Sequence, residues 1–269
     1  MPHVRTDLST GPSTVEYLRT GSGPGVVLVH GTGATPEANY TELIEELRPR
    51  HTVVAPFLSG SGGTTDSGAP LTVEDLARQV LAAADDAGLD GFALVGHSLG
   101  ACVAAAAAAA AATSGRHVRS LVLHAGWARS DPRMALQFGL WRDLVTADPE
   151  LLARLVLLTA YAPDDSPFRD ARALDAEVSA FAALFHPEGI SRQLHLDHRI
   201  DIEHLLPRIT APTLIISGES DAIVPPAHQD RMAELIPHAD VVRVRGGHAF
   251  PFESPDEFTG LVADFVRTA

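Results

Sequence analysis

Phe92-Ala93-Leu94-Val95-Gly96-His97-Ser98-Leu99-Gly100 decides how this chain is read. Four apolar residues run into G-x-S-x-G, and an alanine-rich stretch, Ala101 to Ala112, follows. A short continuous apolar run suits a strand covered on both faces. The alanines combine high helix propensity with small volume, which suits a helix packed closely on a sheet. A serine on so tight a strand-to-helix turn has strained backbone angles, and side chains two positions to either side would collide. Gly96 and Gly100 remove that collision. The serine hydroxyl then projects above the sheet at a helix N-terminus, where aligned backbone dipoles favour developing negative charge. Five residues of this pattern alone are unspecific; a strand before and a helix after make it a nucleophile-elbow signature.

Outward from the elbow, further buried strands are predicted at Val26 to Val29, Thr52 to Ala55, Val118 to Leu123, Thr213 to Ser217 and Val241 to Val244. Thr14 to Arg19 alternates and is expected as an antiparallel edge strand. Between them lie helical patterns. Thr72 is placed as an N-cap three residues before Asp75, ahead of Leu76, Val80, Leu81 and Ala84. Ser254-Pro255-Asp256-Glu257 combines a capping serine, a first-turn proline and a glutamate before the stripe Phe258, Leu261, Val262, Phe265 and Val266. Strands alternating with helices imply a doubly wound, mostly parallel sheet. From Arg129 to about Leu206 the alternation stops. Only helical patterns are found there, such as Met134 to Val145 and Glu150 to Tyr161, together with Phe138, Trp141, Phe168, Phe181 and Phe185. This stretch is expected to be an inserted helical cap (129–206) on a core formed by 1–128 and 207–269.

With the elbow and this order of elements, the chain resembles the α/β-hydrolase superfamily over Val26 to Leu123 and Thr213 to Thr268. The resemblance implies an α/β fold with a doubly wound, mostly parallel sheet and a helical cap. It also implies a catalytic Ser98, an acid after a later strand and a histidine near the C-terminus. Gly218-Glu219-Ser220-Asp221 looks like the acid loop, with Asp221 in the acid position. Gly246-Gly247-His248 looks like the histidine loop. His30-Gly31-Thr32-Gly33 resembles the oxyanion-loop motif, so the resemblance makes the backbone N–H groups of Thr32 and Leu99 the oxyanion donors. The Thr32 hydroxyl is a candidate third donor.

The roles follow from acidity. A serine hydroxyl attacks well only when a base takes its proton. An imidazole, titrating near pH 6.5, can accept and return that proton. The acid holds the imidazole in the useful tautomer and stabilises the imidazolium. Glu219 lies two residues from Asp221 but does not match the acid position. His228 and His238 are expected at the surface, and His97 is expected to point away from the turn and pack. Cys102 lies one helical turn after Ser98 with no base in view, and is expected as buried filler. His195-Leu196-Asp197-His198 has no third ligand to complete a zinc site. Gly60-Ser61-Gly62-Gly63 lacks the spacing of a dinucleotide loop and looks like small residues beside an active-site mouth. Trp127, just past the fourth of the long strands, is expected to contact substrate.

Composition narrows the partners. The chain has 269 residues, with 20 basic against 34 acidic and a net charge of −14. A surface this negative disfavours nucleic acids and anionic membranes. All the basic residues are arginine; without lysine there is no Schiff-base chemistry and no P-loop lysine. One cysteine fits a reducing, cytoplasmic setting. No signal peptide is visible, and the longest apolar run is shorter than the ~20 residues of a membrane span. A serine nucleophile disfavours the dehalogenase and epoxide-hydrolase branches of the resemblance, which use aspartate. The expectation is a cofactor-free, metal-free monomer or homodimer acting on a small molecule: a carboxylic ester, thioester or lactone with an apolar, medium-sized portion. The same residues also suit carbon–carbon bond hydrolysis, and the fold also carries cyclases, lyases and ligand receptors.

Overall fold

The computed structural model describes residues 1–163 and 171–268. Each apolar run named above forms a strand, and the set is β1 (His3–Leu8), β2 (Gly11–Gly21), β3 (Gly25–Val29), β4 (Thr52–Pro56), β5 (Gly91–His97), β6 (His117–His124), β7 (Thr213–Gly218) and β8 (Ala239–Val244). They lie in one sheet in the order β1-β2-β4-β3-β5-β6-β7-β8. β1 and β2 pair antiparallel, as do β2 and β4; every later pairing is parallel. The strand expected at the edge is therefore one place in. β2 carries the edge strand β1 on its outer side, and β1 is half exposed, mixing Arg5 and Asp7 with Val4 and Leu8.

Successive residues of the parallel strands face opposite layers, as the two-residue period of a strand requires. Val26, Leu28, Val53 and Val95 pack with Leu43 and Leu47 of α1 (Pro36–Leu47) and with Phe258, Val262 and Val266 of α10 (Pro255–Thr268). Val27, Val29, Val54 and Leu94 pack on the other side with Leu76 and Val80 of α2 (Val73–Asp86) and with α3 (Leu99–Ser114). The nearly unbroken alanine surface of α3 lets it lie against both the sheet and α2, and Ala104, Ala105 and Ala107 are fully buried. Thr72 caps α2 by accepting from the Asp75 N–H at 3.1 Å.

Between β6 and β7 the described residues contain helices and no strand: α4 (Pro132–Ala147), α5 (Pro149–Ala160), α6 (Ala171–Ala182) and α7 (Pro187–Asp197). Asp131 and Asp148 cap α4 and α5, and each precedes a first-turn proline. The two ends of this insertion meet in an antiparallel bridge between Arg129 and Asp201. Phe168 lies outside the described residues. The chain then passes through β7, α8 (Pro226–Leu235), β8 and the short α9 (Phe250–Glu253) into α10. Thr32, Ser98, Trp127, Asp221 and His248 all stand in connections that leave the carboxyl ends of parallel strands, the end of an open α/β sheet where ligands bind.

Candidate active site

Ser98 has φ 57° and ψ −124°, a strained conformation for a residue with a side chain. The turn is as crowded as its glycines imply. A Cβ on Gly96 would stand 2.2 Å from the Gly100 carbonyl oxygen, and one on Gly100 would stand 2.0 Å from the Val29 and 2.5 Å from the His30 carbonyl oxygens. Gly100→Ala must therefore push α3 away from the end of β3, the strand that leads into Gly31 and Thr32. We expect it to lower the melting temperature by more than about 5 °C and to disable the site in any molecule that folds. Gly260→Ala, in an exposed turn of α10 with open space around the new methyl, is the contrast: thermal unfolding should show no loss and a gain of up to about 1 kcal/mol.

The loops after β7 and β8 converge on this serine. Asp221 is buried, and its Oδ1 accepts from the N–H groups of Ile223 and Val224 at 2.9 and 2.8 Å. Its Oδ2 lies 2.9 Å from His248 Nδ1, and His248 Nε2 lies 2.9 Å from Ser98 Oγ. A carboxylate can only accept, so the imidazole carries its hydrogen on Nδ1 and turns the lone pair of Nε2 to the serine hydroxyl. Glu219, the rival acid, is exposed. His238 is exposed, and His228 faces Asp131 at 3.4 Å.

His30 holds the turn after β3. Burial pushes its pKa down to about 4, so the ring is neutral. Leu58 donates its N–H to Nε2 at 3.0 Å, which puts the hydrogen on Nδ1, and Nδ1 donates to the Gly31 carbonyl at 2.8 Å. The Ala34 N–H reaches the same carbonyl. In a trans peptide C=O and N–H point in opposite directions, so fixing the Gly31 oxygen turns the Thr32 N–H the other way. The flanking N–H groups are occupied: Gly31 donates to Asn39 Oδ1 at 2.8 Å and Gly33 to Gln193 Oε1 at 2.7 Å. Among the described residues the N–H groups of Thr32 and Leu99 have no protein acceptor.

Two placements differ from expectation, those of Trp127 and His97. Trp127 is fully buried away from the cavity; its indole N–H donates to Ser130 Oγ at 2.9 Å and its ring packs on Phe138. The rings that do line the cavity include Phe138 and Trp141 of α4. The Thr32 hydroxyl, the candidate third donor, has a partner behind it, Asp197 Oδ2 at 2.6 Å. His97 packs, but toward the site: its Nδ1 meets His124 Nδ1 at 2.8 Å and its ring centroid lies 5.0 Å from that of His248. Burial drives His97 well below the usual histidine range and His124 to about 3, so the pair shares one hydrogen and is uncharged. Cys102 is buried, its thiol pushed up by burial, and it donates to the Trp127 carbonyl.

Two residues that contact the oxyanion-motif loop were not among the expected site residues: Gln193, and Asp197, which was read only within an incomplete zinc cluster. They sit four apart on one face of α7, among Ile190 and Leu194. The available signal was two polar residues on an otherwise apolar helical stripe. His195 and His198 point to solvent, so only the aspartate of that cluster turns inward.

Around Ser98 a cavity of about 410 Å³ is lined by Phe138, Trp141, Leu157, Tyr161, Phe181 and Phe185 from the insertion, and also by Gly60, Ser61 and Gly62. An elbow serine bonded to an imidazole–carboxylate pair on a doubly wound sheet is the architecture of a hydrolase. The chain belongs to the α/β hydrolase fold family, whose model matches residues 24–255, and it is an enzyme. It is similar to a pyrrolizixenacetamide deacetylase of Xenorhabdus hominickii, 38% identical over 260 residues that cover 96% of this chain and 97% of that protein. It is also similar to a pimeloyl-[acyl-carrier protein] methyl ester esterase of Xanthomonas oryzae pv. oryzae, 30% identical over 86% of this chain and 90% of that one. Among solved structures, a thermophilic esterase from Thermogutta terrifontis superposes with a TM-score of 0.83 at 26% identity, over 100% of this chain and 99% of that one. Among the described residues no helix is long and apolar enough to cross a membrane.

Proposed function

We propose that this hydrolase is a serine enzyme that cleaves a carboxylic ester, thioester or lactone of a small to medium apolar substrate through an acyl-enzyme, without a cofactor. The observation that carries the reading is the unbroken chain Asp221–His248–Ser98, with both links at 2.9 Å. As Ser98 Oγ attacks the carbonyl carbon, its proton passes to His248 Nε2, and Asp221 stabilises the imidazolium. The carbonyl oxygen, now an anion, lies against the N–H groups of Thr32 and Leu99, and loss of one such donor typically costs ~3 kcal/mol of transition-state stabilisation. His248 then returns the proton to the leaving oxygen or sulfur. A water that gives its proton to the same imidazole attacks the acyl carbon; the bond to Ser98 Oγ breaks, His248 returns the proton to Oγ, and the acid is released. Residues 129–206 serve as the cap, whose aromatic rings receive the apolar part of the substrate. The relative named for deacetylating an acetamide favours a second reading on the same residues, in which the leaving atom is an amide nitrogen.

A fluorophosphonate probe should add one phosphonyl group to the protein, located at Ser98 by peptide mass spectrometry. Across p-nitrophenyl esters, kcat/KM should rise from acetate to medium chains and fall for chains too long for the cavity. Turnover of p-nitroacetanilide above that of short esters would move the assignment to the amide reading. A protein that neither labels at Ser98 nor turns over any of these substrates is no serine hydrolase.

A further inference from the structure

Asp197 presents a contradiction if it is read as an ordinary carboxylate. It is fully buried, and among the described residues its Oδ1 has no hydrogen-bond partner and its Oδ2 meets a single group, the Thr32 hydroxyl, at 2.6 Å. Among the described residues no cation compensates it. On α7 itself, Arg192 pairs with Asp66 and His195 is exposed; just past its end His198 and Arg199 are exposed, and Arg199 donates to the Leu71 carbonyl. On α4, which packs along α7, Arg133 donates to the Ala222 carbonyl and Arg142 pairs with Asp143. The titratable neighbour on α3 is Cys102, whose buried thiol is uncharged. Ser130, from the segment after β6, reaches only the Asp197 backbone carbonyl. A bare anionic oxygen in such a place is costly, whereas the bare C=O of a neutral acid costs far less.

We infer that Asp197 works as a neutral carboxylic acid that donates its Oδ2 proton to Thr32 Oγ, leaving the Thr32 hydroxyl hydrogen to turn into the cavity as a third oxyanion donor. This deepens the serine-hydrolase reading and rests on it. Thr32 lines the cavity and its own N–H lacks a protein acceptor, so the two donors of one residue serve one oxygen. Gln193 holds the adjoining Gly33 N–H from one α7 turn away, and its amide is anchored to the Ser59 carbonyl at 3.0 Å. The insertion thus sets the oxyanion loop from behind as well as covering the substrate. When Asp197 loses its proton to water, the carboxylate accepts the Thr32 hydrogen. The third donor is lost, and a negative charge then stands behind a developing anion. Both effects slow the reaction. Burial raises the pKa of this carboxyl to about 8, which places the change on the alkaline side of neutrality.

The test is kcat and KM for p-nitrophenyl butyrate from pH 6 to 10, with fluorophosphonate labelling read for every protein. Wild type should lose activity as pH rises through about 8. Asp197→Asn, whose amide donates to Thr32 at every pH, should keep at least about a third of the wild-type rate at pH 7 and lose the alkaline decline. Thr32→Val should lower kcat about 10- to 100-fold with KM little changed, and Thr32→Ser should restore both the rate and the decline. A second readout needs no turnover. The folded state holds a proton that the unfolded chain gives up in the ordinary carboxylate range, so stability falls as pH climbs from that range to about 8. Asp197→Asn removes the penalty, and its gain in melting temperature should be larger at pH 7.5 than at pH 5. An alkaline decline that persists in Asp197→Asn, or a Thr32→Val enzyme with undiminished kcat, overturns the inference while labelling still upholds the serine nucleophile. A wild type that does not label overturns the reading beneath it.

Discussion

Ser98→Ala, His248→Ala and the double variant are each expected to lower kcat by about 10⁶-fold, and by nearly the same factor. The equality is the sharper part of the expectation. Ser98 Oγ is a nucleophile only because His248 Nε2, 2.9 Å away, takes its proton as the bond forms. Without the base the hydroxyl is inert, and without the hydroxyl the base has nothing to activate in that position, so the second loss adds little to the first. The residual rate, roughly 10³ over water, should come from substrate binding and the N–H donors of Thr32 and Leu99, which neither substitution touches. Steady-state assays on the preferred ester of the series, with circular dichroism to confirm the fold, make the comparison. Multiplicative losses in the double variant would mean that the two residues act in separate steps, and the proton chain would have to be abandoned.

How far the sequence carried depended on how strongly each feature is constrained locally. The elbow was legible because covalent geometry dictates it: only glycine fits at 96 and 100, where an added carbon would stand within about 2 Å of backbone oxygen. The central strands were legible because both their faces are buried, and a short continuous apolar run such as Val26 to Val29 suits a strand covered on both sides. β1 was not, because one face meets solvent and its six residues mix charge with half-buried aliphatics. Chain order marked Asp221 and His248. The placement of Trp127, Thr32 and Asp197 depends instead on how α4 and α7 pack over the sheet, a tertiary choice that no local pattern records. Trp127 looked available to substrate because it follows a strand end, yet Phe138 takes that place and covers it. Asp197 looked like part of a histidine-flanked cluster until the helix turned it inward and the two histidines outward.

Asp221→Asn should lower kcat by about 10⁴-fold although it changes the size of the side chain hardly at all. The reason lies in what holds the other oxygen. Oδ1 accepts two backbone N–H groups, from Ile223 and Val224, so it must remain an acceptor. In asparagine the carbonyl oxygen is forced into that position, and the NH₂ group falls where Oδ2 stood, 2.9 Å from His248 Nδ1. Two donors cannot face each other there, so the imidazole moves its hydrogen to Nε2 and presents a lone pair to the amide. Nε2–H then points at Ser98 Oγ and can no longer take its proton. The fold should be preserved, because every backbone bond of the loop survives, and the loss should fall on kcat with KM little changed. Fluorophosphonate labelling should slow in parallel, since it draws on the same base. Glu219→Gln, at the exposed acid two residues earlier, should stay within about twofold of wild type. An Asp221→Asn enzyme within tenfold of wild type, or a Glu219→Gln enzyme as crippled as expected for Asp221, would move the acid's role off Asp221 and with it the tautomer argument.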